Sequence, residues 1–283
     1  MTPASRGILV GLIGAGIQAS RSPRLHEGEG EAQGLRYTYK LFDLDVLGLD
    51  AAALPALLRD AEQQGFAGLN ITYPCKQTVL ACLDELSADA AAMGAVNTVV
   101  LRDGRRIGHN TDWSGFARGM QRSLADAPRR RVVLLGAGGA GAAVAHALLT
   151  LNTAELVIVD VARERAQTLA AALSGRFGTD RARASDDVAL ALSGADGVVN
   201  ATPIGMDKLP GTPLPAQLLS PTLWVADVVY FPLETKLLRE ARARGCRTMD
   251  GGDMAVFQAA EAFRLFSGRE ADAERMLRHF RSM

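Results

Sequence analysis

One uncharged stretch, residues 132–154, constrains the fold of this chain more than any other feature. It contains no Asp, Glu, Lys or Arg, and it is long enough to resemble a membrane span. Four of its first ten residues are glycines, however, which favours a buried strand, a tight turn and a buried helix. The turn, Gly136-Ala137-Gly138-Gly139-Ala140-Gly141, matches G-x-G-x-x-G, whose glycines let the backbone approach a pyrophosphate. A glycine-rich turn can match by chance, so the motif needs support from its surroundings.

The end of the next predicted strand supplies that support. Residues 156–159 are apolar, and Asp160 follows them, 19 residues after Gly141. A carboxylate at that distance accepts hydrogen bonds from the adenosine ribose and repels a 2′-phosphate, so Asp160 favours NAD over NADP. Arg163 and Arg165 oppose this prediction, because either guanidinium could bind a phosphate.

Apolar runs without polar alternation recur in the second half of the chain, at residues 132–135, 156–160, 197–200 and 223–228. Strands of this kind are covered on both faces, as in a parallel, doubly wound sheet. We therefore predict a two-lobed α/β protein, in which an N-terminal α/β substrate domain is joined to a doubly wound Rossmann domain that binds a dinucleotide.

The predicted domain boundaries follow from this change of pattern. Residues 1–115, joined by C-terminal helices in residues 254–283, form the substrate domain, and residues 116–253 form the NAD-binding domain. The first domain contains predicted strands at 8–13, 37–42 and 68–72 and a hairpin around Asp103-Gly104. Helices are predicted at 54–64, 74–83 and 112–124, with a helical tail over 254–280.

Polar residues cluster in the first domain, where a packed lobe would otherwise be apolar. Asn70 and Thr72 are two residues apart on a predicted strand and share a face, and Lys76 follows them closely. Amides and hydroxyls would suit a small polyhydroxy acid, and a lysine beside Asp112 could transfer a proton. Each residue alone also has an ordinary explanation, such as a helix cap or a solvated lysine.

Composition excludes several classes of partner. The 31 Lys+Arg balance 31 Asp+Glu, so the chain has no net charge with which to attract nucleic acid or an anionic membrane. Hydrophobic residues make up 48% and charged residues 22%, which is typical of a globular protein. The three cysteines form no C-x-x-C pair, so we expect reduced thiols and no metal site. With no recognisable secretory signal, we expect a cytoplasmic location.

Seven short motifs occur in a fixed order along the chain. They are Ser20-Arg21-Ser22-Pro23, Gly68-Leu69-Asn70-Ile71-Thr72-Tyr73-Pro74-Cys75-Lys76, Gly94-Ala95-Val96-Asn97-Thr98, Gly108-His109-Asn110-Thr111-Asp112, the glycine loop, Val199-Asn200-Ala201-Thr202-Pro203-Ile204-Gly205-Met206, and Asp250-Gly251-Gly252-Asp253-Met254 continuing to Gln258. In these motifs and their order, the chain resembles the shikimate and quinate dehydrogenase family over nearly its whole length.

The resemblance implies roles for individual residues. Lys76 and Asp112 would be the catalytic pair and would contact the substrate. Further contacts to its carboxylate and hydroxyls would come from Ser20, Ser22, Asn70, Thr72, Asn97, Tyr230 and Gln258. The glycine loop, Asp160 and Arg165 would hold the dinucleotide, and its nicotinamide side would be lined by Asn200, Ala201, Thr202, Pro203, Val228, Gly251 and Met254.

Departures from the usual pattern indicate one branch of the family. Biosynthetic members carry a basic cluster that binds the NADP phosphate where this chain has Asp160-Val161-Ala162. The segments 14–20 and 26–30 resemble the NAD-dependent quinate/shikimate branch associated with catabolism, and Ser22 resembles the shikimate-preferring enzymes. The resemblance therefore implies a reversible, NAD-dependent oxidation of shikimate at its C3 hydroxyl to 3-dehydroshikimate.

Several alternatives stay open at this point. One is a dehydrogenase that prefers quinate or aminoshikimate, and another is a non-catalytic sensor of a dinucleotide or metabolite with the same fold. The expected partner is a cyclic hydroxy acid, with a homodimer left open.

Overall fold

The chain folds into two compact units. A computed structural model describes residues 7–283, and the described part of unit one comprises residues 7–111 together with Val256–Met283, whereas unit two is Asp112–Ala255. The first six residues of the predicted substrate domain lie outside the described part. The division into a substrate domain and an NAD-binding domain at the predicted boundaries stays a prediction.

Unit one contains a mixed sheet of six strands. They are β1 (Ile8–Gly14), β2 (Tyr37–Asp43), β3 (Gly68–Ile71), β4 (Glu85–Leu86), β5 (Thr98–Arg102) and β6 (Arg105–His109), in the spatial order β2-β1-β3-β5-β6-β4. β1 pairs in parallel with β2 and β3, and β5 pairs antiparallel with β3 and β6. Asp103 and Gly104, both at positive φ, turn the chain between β5 and β6, which confirms the predicted hairpin.

Short helices cover this sheet. They are α1 (Ser22–Ala32), α2 (Leu44–Leu47), α3 (Leu54–Gln63), α4 (Cys75–Thr78) and α5 (Ala88–Met93), with 3₁₀ turns at Ala51–Ala53 and Val79–Cys82. The segment predicted as one helix over 74–83 is helical over residues 75–82, but it changes from an α-turn to a 3₁₀ turn after Thr78, so α4 ends after one turn. A longer α-helix would need the Lys76 carbonyl for an N–H one turn on, whereas this carbonyl accepts the N–H of Val96 at 2.9 Å.

Unit two is built on a sheet of six parallel strands. They are β7 (Arg131–Leu135), β8 (Glu155–Val159), β9 (Ala182–Ser185), β10 (Gly197–Asn200), β11 (Trp224–Asp227) and β12 (Arg247–Met249), in the order β12-β11-β10-β7-β8-β9. The chain starts at β7, moves outward to β9, and returns to the other side of β7 at β10. This doubly wound order, with its switch point between β7 and β10, confirms the predicted Rossmann fold.

The helices of unit two are α6 (Asp112–Ser123), α7 (Gly139–Thr150), α8 (Arg163–Phe177), α9 (Val188–Leu192) and α10 (Lys236–Ala243), with a 3₁₀ turn at Ala216–Leu218. The central strands are covered on both faces, since Val132 and Leu134 join one apolar cluster and Val133 and Leu135 join another. This burial explains the missing polar alternation. Within residues 7–283, no helix combines the length and the hydropathy that crossing a bilayer requires.

The C-terminal tail forms two helices, α11 (Gly251–Ser267) and α12 (Ala273–Arg281). Gly268, at φ +70°, follows the end of α11, and the Asp272 side chain accepts the N–H of Arg275 at the start of α12. Residues from Val256 onward belong to unit one, where Phe263 and Phe266 pack in a cluster with Tyr37 and other residues of β1 and β2.

An ion pair between a buried carboxylate and a partly exposed arginine fixes α12 to α1. The Glu29 side chain is 0% exposed, and it accepts hydrogen bonds from Arg275 Nε at 2.8 Å and Nη2 at 2.7 Å. The Asp272 N–H donates to the same carboxylate at 2.9 Å. Burial alone would raise the pKa of Glu29, but these bonds, with one from Gln33, hold it below the usual value.

Arg275→Leu should therefore destabilise the protein. It leaves the Glu29 carboxylate buried without its cation, and we expect a loss of about 2–4 kcal/mol in the free energy of unfolding at pH 7. Folding lowers the pKa of Glu29. This stabilisation is therefore fully present at pH values above the ordinary pKa of glutamate, and it is lost as the pH falls through the lowered pKa of Glu29. Urea unfolding followed by circular dichroism at several pH values measures both effects.

Arg264→Leu is the matched control. Arg264 pairs with Glu261 within α11, and both side chains are partly exposed, so its loss should cost less than about 1 kcal/mol. Equal effects in the two variants would contradict the special role of the Glu29 pair.

Candidate functional site

The segment that carries Asn70, Thr72 and Lys76 is fixed by backbone hydrogen bonds at the end of β3. The Thr72 N–H donates to the Ile13 carbonyl at 2.9 Å, which ties this segment to β1. The Lys76 carbonyl accepts from Val96, just before β5. Lys76 itself is half-buried. The segment with these three polar residues is therefore tied to the sheet of unit one by backbone hydrogen bonds on both sides.

Asn70 is buried, and both ends of its amide are bound by protein. Tyr39 Oη donates to Asn70 Oδ1 at 2.9 Å, while Asn70 Nδ2 donates to Thr98 Oγ1 at 3.0 Å and to the Asn97 carbonyl at 3.3 Å. A backbone carbonyl only accepts, so it fixes which end of the amide is Nδ2. One lone pair of Oδ1 remains with which Asn70 can accept a hydrogen bond from a ligand hydroxyl.

Asn97 extends this network toward α11. The Thr111 N–H donates to Asn97 Oδ1 at 2.7 Å, so Asn97 Nδ2 must face the other way. It donates to Thr111 Oγ1 at 2.9 Å and lies 3.5 Å from Gln258 Oε1. The structure thus brings together three residues predicted to bind substrate, Asn70, Asn97 and Gln258, and adds Thr98 and Thr111, which sequence reasoning did not single out.

The loop between β1 and α1 carries Ser20, leads to Ser22 at the start of α1, and is organised by Asp43. The Asp43 carboxylate accepts the N–H groups of Gly16 at 2.9 Å and Ile17 at 3.0 Å. Burial would raise its pKa, but the hydrogen bonds from this loop and from the segment after β2 hold it below the usual value. Ser20 and Ser22 follow, and the Ser22 N–H donates to Ser20 Oγ at 3.2 Å.

The glycine loop of unit two has the shape that a dinucleotide phosphate needs. Gly136 has φ +99°, and a Cβ there would lie 2.8 Å from the Ala201 carbonyl oxygen. A Cβ on Gly141 would collide with the Gly136 carbonyl, whereas a Cβ on Gly138 would meet no atom within 4 Å. The open space at Gly138 lies at the N-terminus of α7, a helix of 12 residues, so a pyrophosphate fits where the helix N–H groups point.

Asp160 follows β8 and fixes the glycine loop. Its Oδ2 accepts the Ala137 N–H at 2.7 Å, and its Oδ1 accepts the Ala162 N–H at 2.8 Å. Arg163 pairs with Asp186 at 3.2 Å on the surface, and the Arg165 side chain is exposed. Ala137, Asp160 and Arg165 can therefore face a ligand at this end of the sheet.

The Asn200 side chain shapes the loop after β10. Its Nδ2 donates to the Ile204 carbonyl at 3.0 Å and to Asp227 Oδ1 at 2.9 Å. Its Oδ1 accepts the Thr202 N–H at 3.0 Å and Thr202 Oγ1 at 2.7 Å. The buried amide thus has no hydrogen-bonding position left, so any cofactor contact in this loop comes from the residues that follow Asn200.

Asp227 ends β11 and was also missed by sequence reasoning. It is fully buried and accepts hydrogen bonds from Asn200 Nδ2, the Val229 N–H and Thr235 Oγ1. Burial raises its pKa to about 6, against the opposing effect of these bonds. The signal that could have found Asp43 and Asp227 is an acidic residue at the end of a predicted strand, the position that identified Asp160.

The remaining predicted residues are distributed over unit two. Asp112 is the buried first residue of α6, whereas Tyr230 is 40% exposed. Gly251 begins α11, and a Cβ there would lie 2.5 Å from the Val228 carbonyl oxygen; Met254 follows one turn later. Within the described residues, no group of three or more His, Cys, Asp or Glu side chains could hold a metal ion.

Three family models match separate parts of the chain. The shikimate dehydrogenase substrate binding domain matches residues 12–99, the shikimate/quinate 5-dehydrogenase model matches residues 119–204, and the shikimate 5′-dehydrogenase C-terminal domain matches residues 251–279.

Curated relatives and a solved structure match almost the whole chain. Shikimate dehydrogenase (NADP(+)) of Streptomyces avermitilis is 60% identical over 95% of this chain and 93% of its own length. Quinate/shikimate dehydrogenase (NAD(+)) of Corynebacterium efficiens is 50% identical over 98% of each chain. Quinate dehydrogenase from Corynebacterium glutamicum in complex with NAD has a TM-score of 0.92 at 47% identity, and the match covers 98% of this chain and 99% of that one. This chain belongs to the shikimate and quinate dehydrogenase family.

Proposed function

We propose that this protein is a nicotinamide-dependent dehydrogenase that oxidises the C3 hydroxyl of shikimate to 3-dehydroshikimate and prefers NAD⁺. The observation that carries the proposal is the polar network of Asn70, Asn97 and Gln258 in a chain that belongs to this family. The network supplies amides of fixed orientation, which suits a ligand with several hydroxyl groups.

The proposed roles are those that the family resemblance implies, and the chemistry of each side chain suits its role. Lys76 takes the proton of the C3 hydroxyl, and Asp112 orients the lysine and shares the charge. Ser20 and Ser22 bind the substrate carboxylate. The ring hydroxyls contact Asn70, Thr72, Asn97, Tyr230 and Gln258.

A bound dinucleotide would supply the acceptor for the hydride that leaves C3. The glycine loop would bind its pyrophosphate, and the Asp160 carboxylate would accept hydrogen bonds from the hydroxyls of the adenosine ribose. The nicotinamide side is lined by Ala201, Thr202, Pro203, Val228, Gly251 and Met254. The protein sets the distance between the substrate and the cofactor.

The preference for NAD⁺ rests on Asp160. Its carboxylate is anchored to the glycine loop by the Ala137 N–H, so it cannot swing away from a 2′-phosphate without losing that bond. The relatives carry both cofactor names, with NADP(+) at 60% identity and NAD(+) at 50%, so the residue rather than the relatives supports this choice.

Shikimate is proposed as the first substrate and quinate as the second. Ser22 favours shikimate, while the NAD complex of quinate dehydrogenase favours quinate as an additional substrate. Comparing kcat/KM for shikimate and quinate with NAD⁺ tests this order, and a higher value for quinate would reverse it. The homodimer and the cytoplasmic location stay predictions.

Lys76→Ala should lower kcat by about 100-fold or more, because the hydroxyl then loses its proton acceptor. We expect a much smaller change in the Kd for shikimate, measured by calorimetry. Lys40→Ala is the control, since Lys40 lies over the Phe66 ring outside the proposed site. A near-normal kcat in the Lys76 variant would remove this lysine from the chemistry, and absence of turnover in the wild type with bound dinucleotide would favour a sensor.

Asp160→Ala should reduce the preference for NAD⁺. Loss of a charged acceptor for ribose hydroxyls costs about 1.5–3 kcal/mol, so kcat/KM with NAD⁺ should fall about 10-fold or more relative to the value with NADP⁺. Arg165→Ala is the comparison variant and should shift the ratio toward NAD⁺. A wild type that uses NADP⁺ equally well would show that Arg163 or Arg165 dominates this pocket.

A further inference from the structure

Asp227 is a buried carboxylate that the proposed reaction does not use. Its side chain is 0% exposed, and its three hydrogen-bond donors, Asn200, Val229 and Thr235, are all uncharged groups. A buried carboxylate without a cation is costly, which is also why its pKa is raised. The three hydrogen bonds reach two loops, one after β10 and one after β11.

The first bond controls the loop after β10. Asp227 Oδ1 accepts from Asn200 Nδ2 at 2.9 Å, and a carboxylate cannot donate. The Ile204 carbonyl accepts from the same Nδ2 at 3.0 Å, and together the two acceptors turn Asn200 Oδ1 toward Thr202, where it accepts both the N–H and the hydroxyl. Asp227 thus anchors the amide whose bonds to Thr202 and Ile204 shape the segment from Ala201 to Ile204.

The other two bonds close the loop after β11. The Val229 N–H donates to Oδ1 at 3.0 Å, and Thr235 Oγ1 donates to Oδ2 at 2.8 Å. Thr235 also caps α10 by accepting the Leu238 N–H. One carboxylate therefore fixes both ends of the segment that carries Val228 and Tyr230.

We propose that Asp227 is a positioning residue that holds both loops in the shape that receives the nicotinamide end of the cofactor. It touches no ligand itself and acts through Asn200, Val229 and Thr235. The inference rests on the proposed function, because that proposal assigns Ala201, Thr202 and Val228 to the nicotinamide side.

The test compares two ligands that share one half. NADH carries the nicotinamide, whereas ADP-ribose retains only the part that the glycine loop and Asp160 would bind. In Asp227→Leu, which removes both acceptor oxygens and therefore all three hydrogen bonds while keeping the branched shape, we expect the Kd for NADH to rise at least about 10-fold, equivalent to about 1.4 kcal/mol. The Kd for ADP-ribose should change less than about twofold. Calorimetry and NADH fluorescence measure both constants without turnover.

Asp227→Asn provides the conservative variant. Its Oδ1 still accepts from Asn200 and Val229, and its Nδ2 can donate to Thr235 Oγ1, so NADH affinity should stay within about threefold of the wild type. Asp196→Leu is the matched control, because Asp196 accepts the Arg130 and Arg131 N–H groups where β7 and β10 begin, at the opposite end of the strands from Asp227. Neither Kd should change in this control.

Thr235→Val covers the case in which Asp227→Leu does not fold. It removes one donor from Asp227 and should weaken NADH binding about threefold while leaving ADP-ribose binding unchanged. Equal weakening of both ligands, or unchanged NADH binding in the Asp227→Leu or Thr235→Val variant, would overturn the inference. A wild type that binds neither NADH nor NADPH would instead overturn the proposed function, and the inference with it. If the wild type prefers NADPH, that dinucleotide replaces NADH.

Discussion

The loops that follow parallel strands contain N–H donors that have no hydrogen-bond acceptor within the sheet. In this protein, carboxylates at the ends of neighbouring strands accept these hydrogen bonds. Asp43 binds the N–H groups of the loop after β1, and Asp160 binds an N–H of the glycine loop after β7. Asp227 binds the Asn200 amide that ends β10. In each case the acidic residue stands at the end of the neighbouring strand. Bonds to a charged acceptor are stronger than bonds between neutral groups, so these contacts determine how rigid the candidate sites are.

The order of the parallel strands decides which loops meet in unit two. Since β7 and β10 are neighbours, the turn at Gly136 lies against the start of the loop after Asn200, and there is no room for a side chain between them. Apolar packing on both faces of β7 fixes this approach. The sheet therefore places the phosphate-binding turn beside the loop proposed for the nicotinamide without any direct bond between their side chains.

Much of the fold was predictable because its signals are local. Apolar strands buried on both faces, the Asp103-Gly104 turn and the glycine loop each depend on a few adjacent residues. β9 and β12 were missed, since Arg183 and Arg247 interrupt short strands at the two edges of the sheet. The one-turn length of α4 depends on a bond from Val96, 20 residues away from Lys76, and no local pattern reports it. The roles of Tyr39, Asp43 and Asp227 also depend on partners distant in sequence, although the position of the two acidic residues at strand ends is itself a local signal.

The amides of unit one have a consequence for how this protein can change. The carbonyl of Asn97 fixes the direction of Asn70, and the N–H of Thr111 fixes the direction of Asn97. Neither group can be inverted by mutation, since both belong to the backbone. A substitution at Asn70, Thr98 or Asn97 must therefore reproduce the same donor and acceptor on the same sides, or several positions must change together. Ser20 and Ser22 are under no such constraint, so under the proposed function a new substrate preference evolves more easily there, where a single exchange disturbs no second amide.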